Sequence, residues 1–255
     1  MAMIDNISHG RLECGFVRGV PYELFASNAH PTETKERLWE SIDLIIRAWT
    51  SHDGPFNYEG RWTHKRQVNV WPRPYQQPHP PIWVAARSPI TFDYAVANGC
   101  NVMSWPIARP FAEAELYKEQ LDASIAASPG APRPTWALMR HTAVYGSVDE
   151  WMVPVEAAQR QLSQFENLFK NLGDVQDGFP AAIPMAPVPH AADYEPTTLS
   201  ENLLFGTPEE VIAKLRRYEA LGVDEFIYYA SLGLGLEEQK RSMQLFCDEV
   251  IPAFK

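Results

Sequence analysis

Cysteine is scarce: three in 255 residues, Cys14, Cys100 and Cys247, far apart and without a CxxC pair. That pattern excludes a disulfide framework and a cysteine metal site, and it reads as buried thiols of a reducing, cytoplasmic compartment. Positive charge is also in short supply. Lys and Arg number 22 against 32 Asp and Glu, and the net charge of −10 has the wrong sign for a nucleic-acid partner. No stretch approaches the roughly 18 unbroken apolar residues of a membrane span. The first residues, MAMIDNISHGR, lack the basic-then-apolar order of a secretory signal. GxGxxG, Walker A, GxSxG and HExxH are all missing, and no internal repeat or low-complexity run occurs. Most of the histidines fall in expected loops without metal spacing, so no metal site is expected. Gly233-Leu234-Gly235 has no third glycine and reads as a turn.

What is present is core-forming material. Hydrophobic residues make up 45% of the chain and eight are tryptophan, enough for one domain over residues 1–255. Leu38, Ile42, Ile45, Ile46 and Trp49 recur at helical spacing after Pro31. Phe56 to Trp71 alternates about Glu59-Gly60 as a hairpin does, and the proline-rich stretch 72–81 leads rigidly into Ile82-Trp83-Val84-Ala85. Helices are expected over 91–98, 113–127, 148–172 and 236–254, and one from Thr207 that carries a capping box with Glu210 and stops at Gly222. Residues 173–205 hold five prolines and little periodicity, which predicts a long loop or lid.

Strands are expected near residues 12–17, 81–86, 100–104, 137–145 and 225–229, alternating with helices. That order means a parallel α/β sheet with right-handed crossovers. A (β/α)8 barrel needs eight strands, and five do not close one.

In parallel α/β proteins, ligands sit at the carboxyl ends of the strands. The first strand ends in Arg18-Gly19, a fixed cation where the backbone bends, and suggests a phosphate-bearing ligand. Ala86, Arg87 and Ser88 follow the second strand, with Thr91 one turn into a helix. Hydroxyls and free N–H groups there suit an anion; plain helix capping is the alternative. Ser104-Trp105-Pro106 ends the third strand, where an indole either lines a flat ligand or fills core. His141 lies on the fourth strand, where a lone histidine is more often a core residue than a functional one. Glu23 reads as a local helix cap.

Five ordered segments, MIDNISHGRLECGFVRGVPYE, ERLWESIDLIIRAW, PRPYQQPHPPIWVAARSP, GTPEEVIAKLRRYEALGVDEFIYY and LFCDEVIPAF, resemble the bacterial luciferase-like flavin-dependent monooxygenases. The resemblance implies a (β/α)8 barrel represented here by strands four to eight, with strands one to three missing. It implies an oxidoreductase in which reduced FMN and O₂ oxidise a small organic substrate, a reductase supplying the flavin. By the same resemblance Arg18, Ala86, Arg87, Ser88 and Thr91 hold the FMN phosphate, and Ser104 and Trp105 border the ring. Arg87 stands where the luciferases have an acidic residue, and Val17 where they have a reactive cysteine. The family's catalytic histidine lies in a unit absent from this chain, so no residue inherits that role. Two alternatives remain open at this point: an F420-dependent hydride-transfer enzyme, and a non-catalytic flavin-binding protein or remnant. Open sheet edges imply a homo-oligomer.

Overall fold

The computed structural model describes residues 1–170, 174–230 and 232–254. A short helix α1 (Ala2–Ser8) precedes strand β1 (Cys14–Phe16), α2 (Pro21–Ala26) and the long helix α3 (Thr34–Thr50). A hairpin follows, β2 (Phe56–Glu59) with β3 (His64–Val68), and then β4 (Ile82–Ala85), α4 (Pro89–Ala97), β5 (Asn101–Ser104) and α5 (Phe111–Ala127). Next come β6 (Trp136–Val144), α6 (Met152–Asn167) and the two-residue strands β7 (Val175–Gln176) and β8 (Phe179–Pro180). The chain continues through α7 (Pro196–Asn202), β9 (Leu204–Gly206), α8 (Pro208–Leu221), β10 (Glu225–Tyr229) and α9 (Leu236–Leu245).

The main sheet runs β1-β4-β5-β6-β10, every pairing parallel, with β9 added to the far end of β6. The five expected core strands therefore all form, in chain order, and β9 joins them as a sixth. Among the described residues the sheet is open, with β1 and β10 as its edges. Side chains alternate across it. Ile82, Val84, Val102, Trp136 and Leu138 point to the helices and are at most 3% exposed. They pack with Phe92, Tyr117, Leu121, Val211 and Leu215 in the larger of the cores. Gly15, Trp83, Ala85, Met103, Ala137 and Ile227 point the other way and line a concavity of about 380 Å³.

Local chemistry sets the helix limits. α8 begins with the expected capping box: Glu210 accepts from the Thr207 N–H at 2.8 Å, Pro208 follows, and Gly222 ends the helix at φ 91°. α2 was not foreseen. Its capping group is Glu23, which accepts the Val20 N–H at 3.0 Å, as the cap reading of that residue expected. The proline-rich stretch is anchored by Asp5, fully buried, which accepts from the Gln76 N–H and side-chain amide, each at 2.9 Å.

Four expectations need correction. β1 is only Cys14–Phe16, shorter than 12–17. The helix expected over 148–172 runs as α6 only to Asn167, and the end expected for it, Leu172, lies outside the described residues. The last helix gives way at Phe246 to a π turn and then a 3-10 turn. Within 173–205, α7 and β9 form where a loop was expected, burying Tyr194, Leu199 and Leu203. Lys214 holds that segment down by donating to the carbonyls of Ser200, Leu203 and Phe205 at 2.7, 2.8 and 2.9 Å.

Candidate active site at the carboxyl ends of the strands

The parallel register brings the candidate residues to one end of the sheet. Phe16 pairs with Val84, so Arg18 stands level with Ala86 on the neighbouring strand. Gly19 turns the chain there at φ 84°. The Arg18 side chain is exposed and makes no ion pair among the described residues. Beside it, Ser88 is the N-cap residue of α4 but makes no side-chain cap bond. Its hydroxyl lies 3.1 Å from that of Thr91 instead. An exposed guanidinium at one strand end and a hydroxyl pair at the helix N-terminus that follows the neighbouring strand are donors suited to a phosphate. Arg87 donates through Nε to the Tyr117 hydroxyl at 3.2 Å and borders a pocket of about 190 Å³ with Ile107, Arg109, Glu166 and Asp193.

Ala86 and Ser104 are placed differently from the sequence expectation. The Ala86 N–H donates to the Met103 carbonyl at 2.9 Å, and its own carbonyl accepts from the Ser104 hydroxyl at 2.9 Å. Ser104 is fully buried on the helix side of the sheet and also accepts from the Trp136 indole at 3.2 Å. With these groups already partnered, both residues hold the strand ends in place and offer no free polar group to a ligand. Alternation explains it: Ser104 shares the outward parity of Val102.

Trp105 has the opposite parity and closes the end of the inner face. Its ring centroid lies 5.5 Å from His141, 5.5 Å from Tyr229 and 5.0 Å from Phe165. His141 and Tyr229 are register partners on β6 and β10, with rings 4.5 Å apart. Burial pushes the His141 imidazole down to about 3, and the Arg140 guanidinium adds to the effect. The Gln161 carboxamide beside the ring opposes that shift. Trp105 Nε1, both His141 ring nitrogens and Gln161 Oε1 are buried with no hydrogen-bond partner.

Arg140 faces the helices, fully buried, and clamps the β5–α5 connection. It donates to the Tyr218 hydroxyl at 2.9 Å and to the carbonyls of Ile107, Arg109 and Pro110 at 3.2, 2.8 and 3.4 Å. Arg109 in turn pairs with Asp193 at 2.8 Å, tying the 173–205 segment to the site. Neither link was visible in the sequence, since each joins residues thirty or more positions apart. The parity of His141 on its strand was the one available signal for the aromatic cluster.

The sequence model described as luciferase-like monooxygenase matches residues 1–225. The chain belongs to the luciferase-like monooxygenase family. Among its relatives is the oxygenase component of the flavin-dependent trigonelline monooxygenase of Acinetobacter baylyi. That protein is 32% identical over 256 residues, covering 99% of this chain and 70% of the relative. The alkanal monooxygenase alpha chain of Photobacterium leiognathi is 28% identical over 123 residues, 47% of this chain and 34% of that one. Among solved structures, the monooxygenase RslO1 from Streptomyces bottropensis superposes with a TM-score of 0.74 at 25% identity, over 100% of this chain and 72% of that one. An F420-dependent secondary alcohol dehydrogenase has a TM-score of 0.77 at 17% identity, over 100% of this chain and 73% of its own, a likeness of fold alone. No described helix is long and apolar enough to cross a membrane.

Proposed function

We propose that this family member is the oxygenase of a two-component system, taking reduced FMN from a flavin reductase and using O₂ to oxidise a small organic substrate. The observation that carries the proposal is the Arg18 cation at the end of β1, level in register with Ala86, two residues before the Ser88/Thr91 hydroxyl pair at the start of α4. Bound there, a reduced flavin supplies the oxygen chemistry. Arg18, Ser88 and Thr91 bind the phosphate, with Arg87 adding positive potential from the second strand end. Trp105 lines the ring position, and Ser104 fixes the Ala86 backbone beneath it. Phe165 packs on the Trp105 ring and shields that side of it from water. The open edges β1 and β10 favour self-association.

The phosphate cradle also suits the phosphate-bearing F420, so the cofactors are compared directly. Titration with FMN, riboflavin and F420, followed by oxygen uptake with a flavin reductase and a panel of aldehydes, ketones and heteroaromatics, tests the reading. FMN should bind more tightly than riboflavin and F420, and one substrate class should raise oxygenated product above hydrogen peroxide. Preference for F420, or FMN and riboflavin binding equally, would contradict it.

A further inference from the structure

Three aromatic rings and four unpartnered polar atoms meet toward the same carboxyl end of the sheet, on strands farther across it than those of the phosphate cradle. Trp105, His141 and Tyr229 come from adjacent strands β5, β6 and β10, with centroids 4.5 to 5.5 Å apart. Adjacent strands lie about 4.8 Å apart, so His141 is two strand spacings, about 10 Å, from the Ser88 strand. His141 is fully buried, yet neither ring nitrogen has a partner, and the same holds for Trp105 Nε1 and Gln161 Oε1. A buried polar atom without a partner costs about 1–3 kcal/mol, so four in one place call for an occupant. Gln161 and Phe165 sit one turn apart on α6 and face this wall together.

We infer that the His141–Tyr229 part of this wall, on the far side of the Trp105 indole from the phosphate cradle, is the substrate subsite, and that it takes a flat, uncharged ring bearing both a hydrogen-bond donor and an acceptor. A lactam or a hydroxylated heteroaromatic has that chemistry. The inference rests on the flavoprotein reading above. Three features specify the class. A neutral imidazole presents one N–H and one lone pair, the indole adds a donor and the carboxamide an acceptor. The three ring faces suit a planar apolar body, with edge or offset contacts. Charge is disfavoured: Arg140 beside the wall repels a cation, and its donors are already committed to Tyr218 and three carbonyls, so it offers no pairing to an anion. Phe165 packs on the Trp105 ring of the wall, and a ring enters as that cover shifts.

The test uses the whole chain with and without FMN, and 2-pyridone as the probe, with toluene as a ring of similar size lacking polar groups. Binding is followed by calorimetry and folding by circular dichroism. In the wild type 2-pyridone should bind more tightly than toluene. His141→Phe keeps a ring but removes both nitrogens, and should weaken 2-pyridone by about tenfold. The same variant should leave toluene and FMN affinity unchanged. His141→Asn restores a donor and an acceptor and should recover part of the loss, which a merely structural role would not. Phe165→Ala, lightening the cover, should speed 2-pyridone association. Equal weakening of FMN and 2-pyridone in His141→Phe would place His141 in the cofactor site and overturn the inference. So would equal 2-pyridone affinity in all variants, or none in the wild type, either of which means that the buried atoms hold water only. Failure of FMN alone to bind, with the 2-pyridone pattern intact, would sink the flavin reading and leave the subsite standing.

Discussion

The two faces of the same five-stranded sheet are built from similar side chains and end in different environments. Toward the helices, Val84, Val102, Leu138 and the tryptophan at 136 are completely buried. Toward the concavity, Trp83, Ala85, Met103 and Ile227 are only half-buried, and a Cβ added at Gly15 would meet nothing within 4 Å. The first face holds the fold, while the second leaves apolar groups at an open concave surface whose lining does not include Arg18, Ser88 or Thr91.

This comparison can be broken most easily at Arg140, on the buried face. Arg140→Ala leaves the Tyr218 hydroxyl and three carbonyls of the β5–α5 connection without their donor, and should cost about 3–5 kcal/mol. Urea denaturation checks it, and a loss close to that of a surface substitution would mean that the clamp is dispensable. Leu138→Ala should follow at about 2–5 kcal/mol, whereas Met139→Ala, one residue on and facing the concavity, should cost less than about 1.5 kcal/mol. Equal losses for the pair would remove the distinction between the faces.

A third test exploits acid. The His141 imidazole titrates at about 3 when folded against an ordinary 6.5, so below 6.5 the unfolded chain takes up a proton that the folded chain refuses. Its contribution to stability is therefore complete above pH 6.5 and is lost as pH falls from there toward 3. Between pH 6.5 and 5 the loss should be about 2 kcal/mol, at 1.36 kcal/mol per pH unit. His141→Phe should flatten that part of the curve, measured as urea midpoints at the two pH values. An unchanged slope would show that the ring is solvated.

Long-period patterns were legible in the sequence and short or distant ones were not. The five strands announced themselves through apolar runs bounded by Gly and Pro, and α8 through its capping box. α7 has seven residues and Leu199 as its one buried side chain, too little to show a 3.6-residue period. Likewise the five-residue strand β10 was visible, whereas the three-residue β9 exists because β6 runs long enough to pair both. The positions of Arg18, Ser88, Thr91 and Trp105 just after strands were legible from the apolar runs that precede them. Ser104 was assigned to the ring because residue type was considered before strand parity. The clamps made by Arg140, Lys214 and Arg109 depend on tertiary contacts that no local pattern records.

The phosphate cradle is the centre of this account, and Arg18→Ala compared with wild type in FMN and riboflavin titrations tests it most directly. The two ligands share a ring and differ by the phosphate. FMN affinity should fall by about 1.5–3 kcal/mol, the scale of a hydrogen bond to a charged group, while riboflavin affinity stays the same. An equal loss for both ligands, or no loss for FMN, would contradict the claim that Arg18 and the start of α4 hold the phosphate.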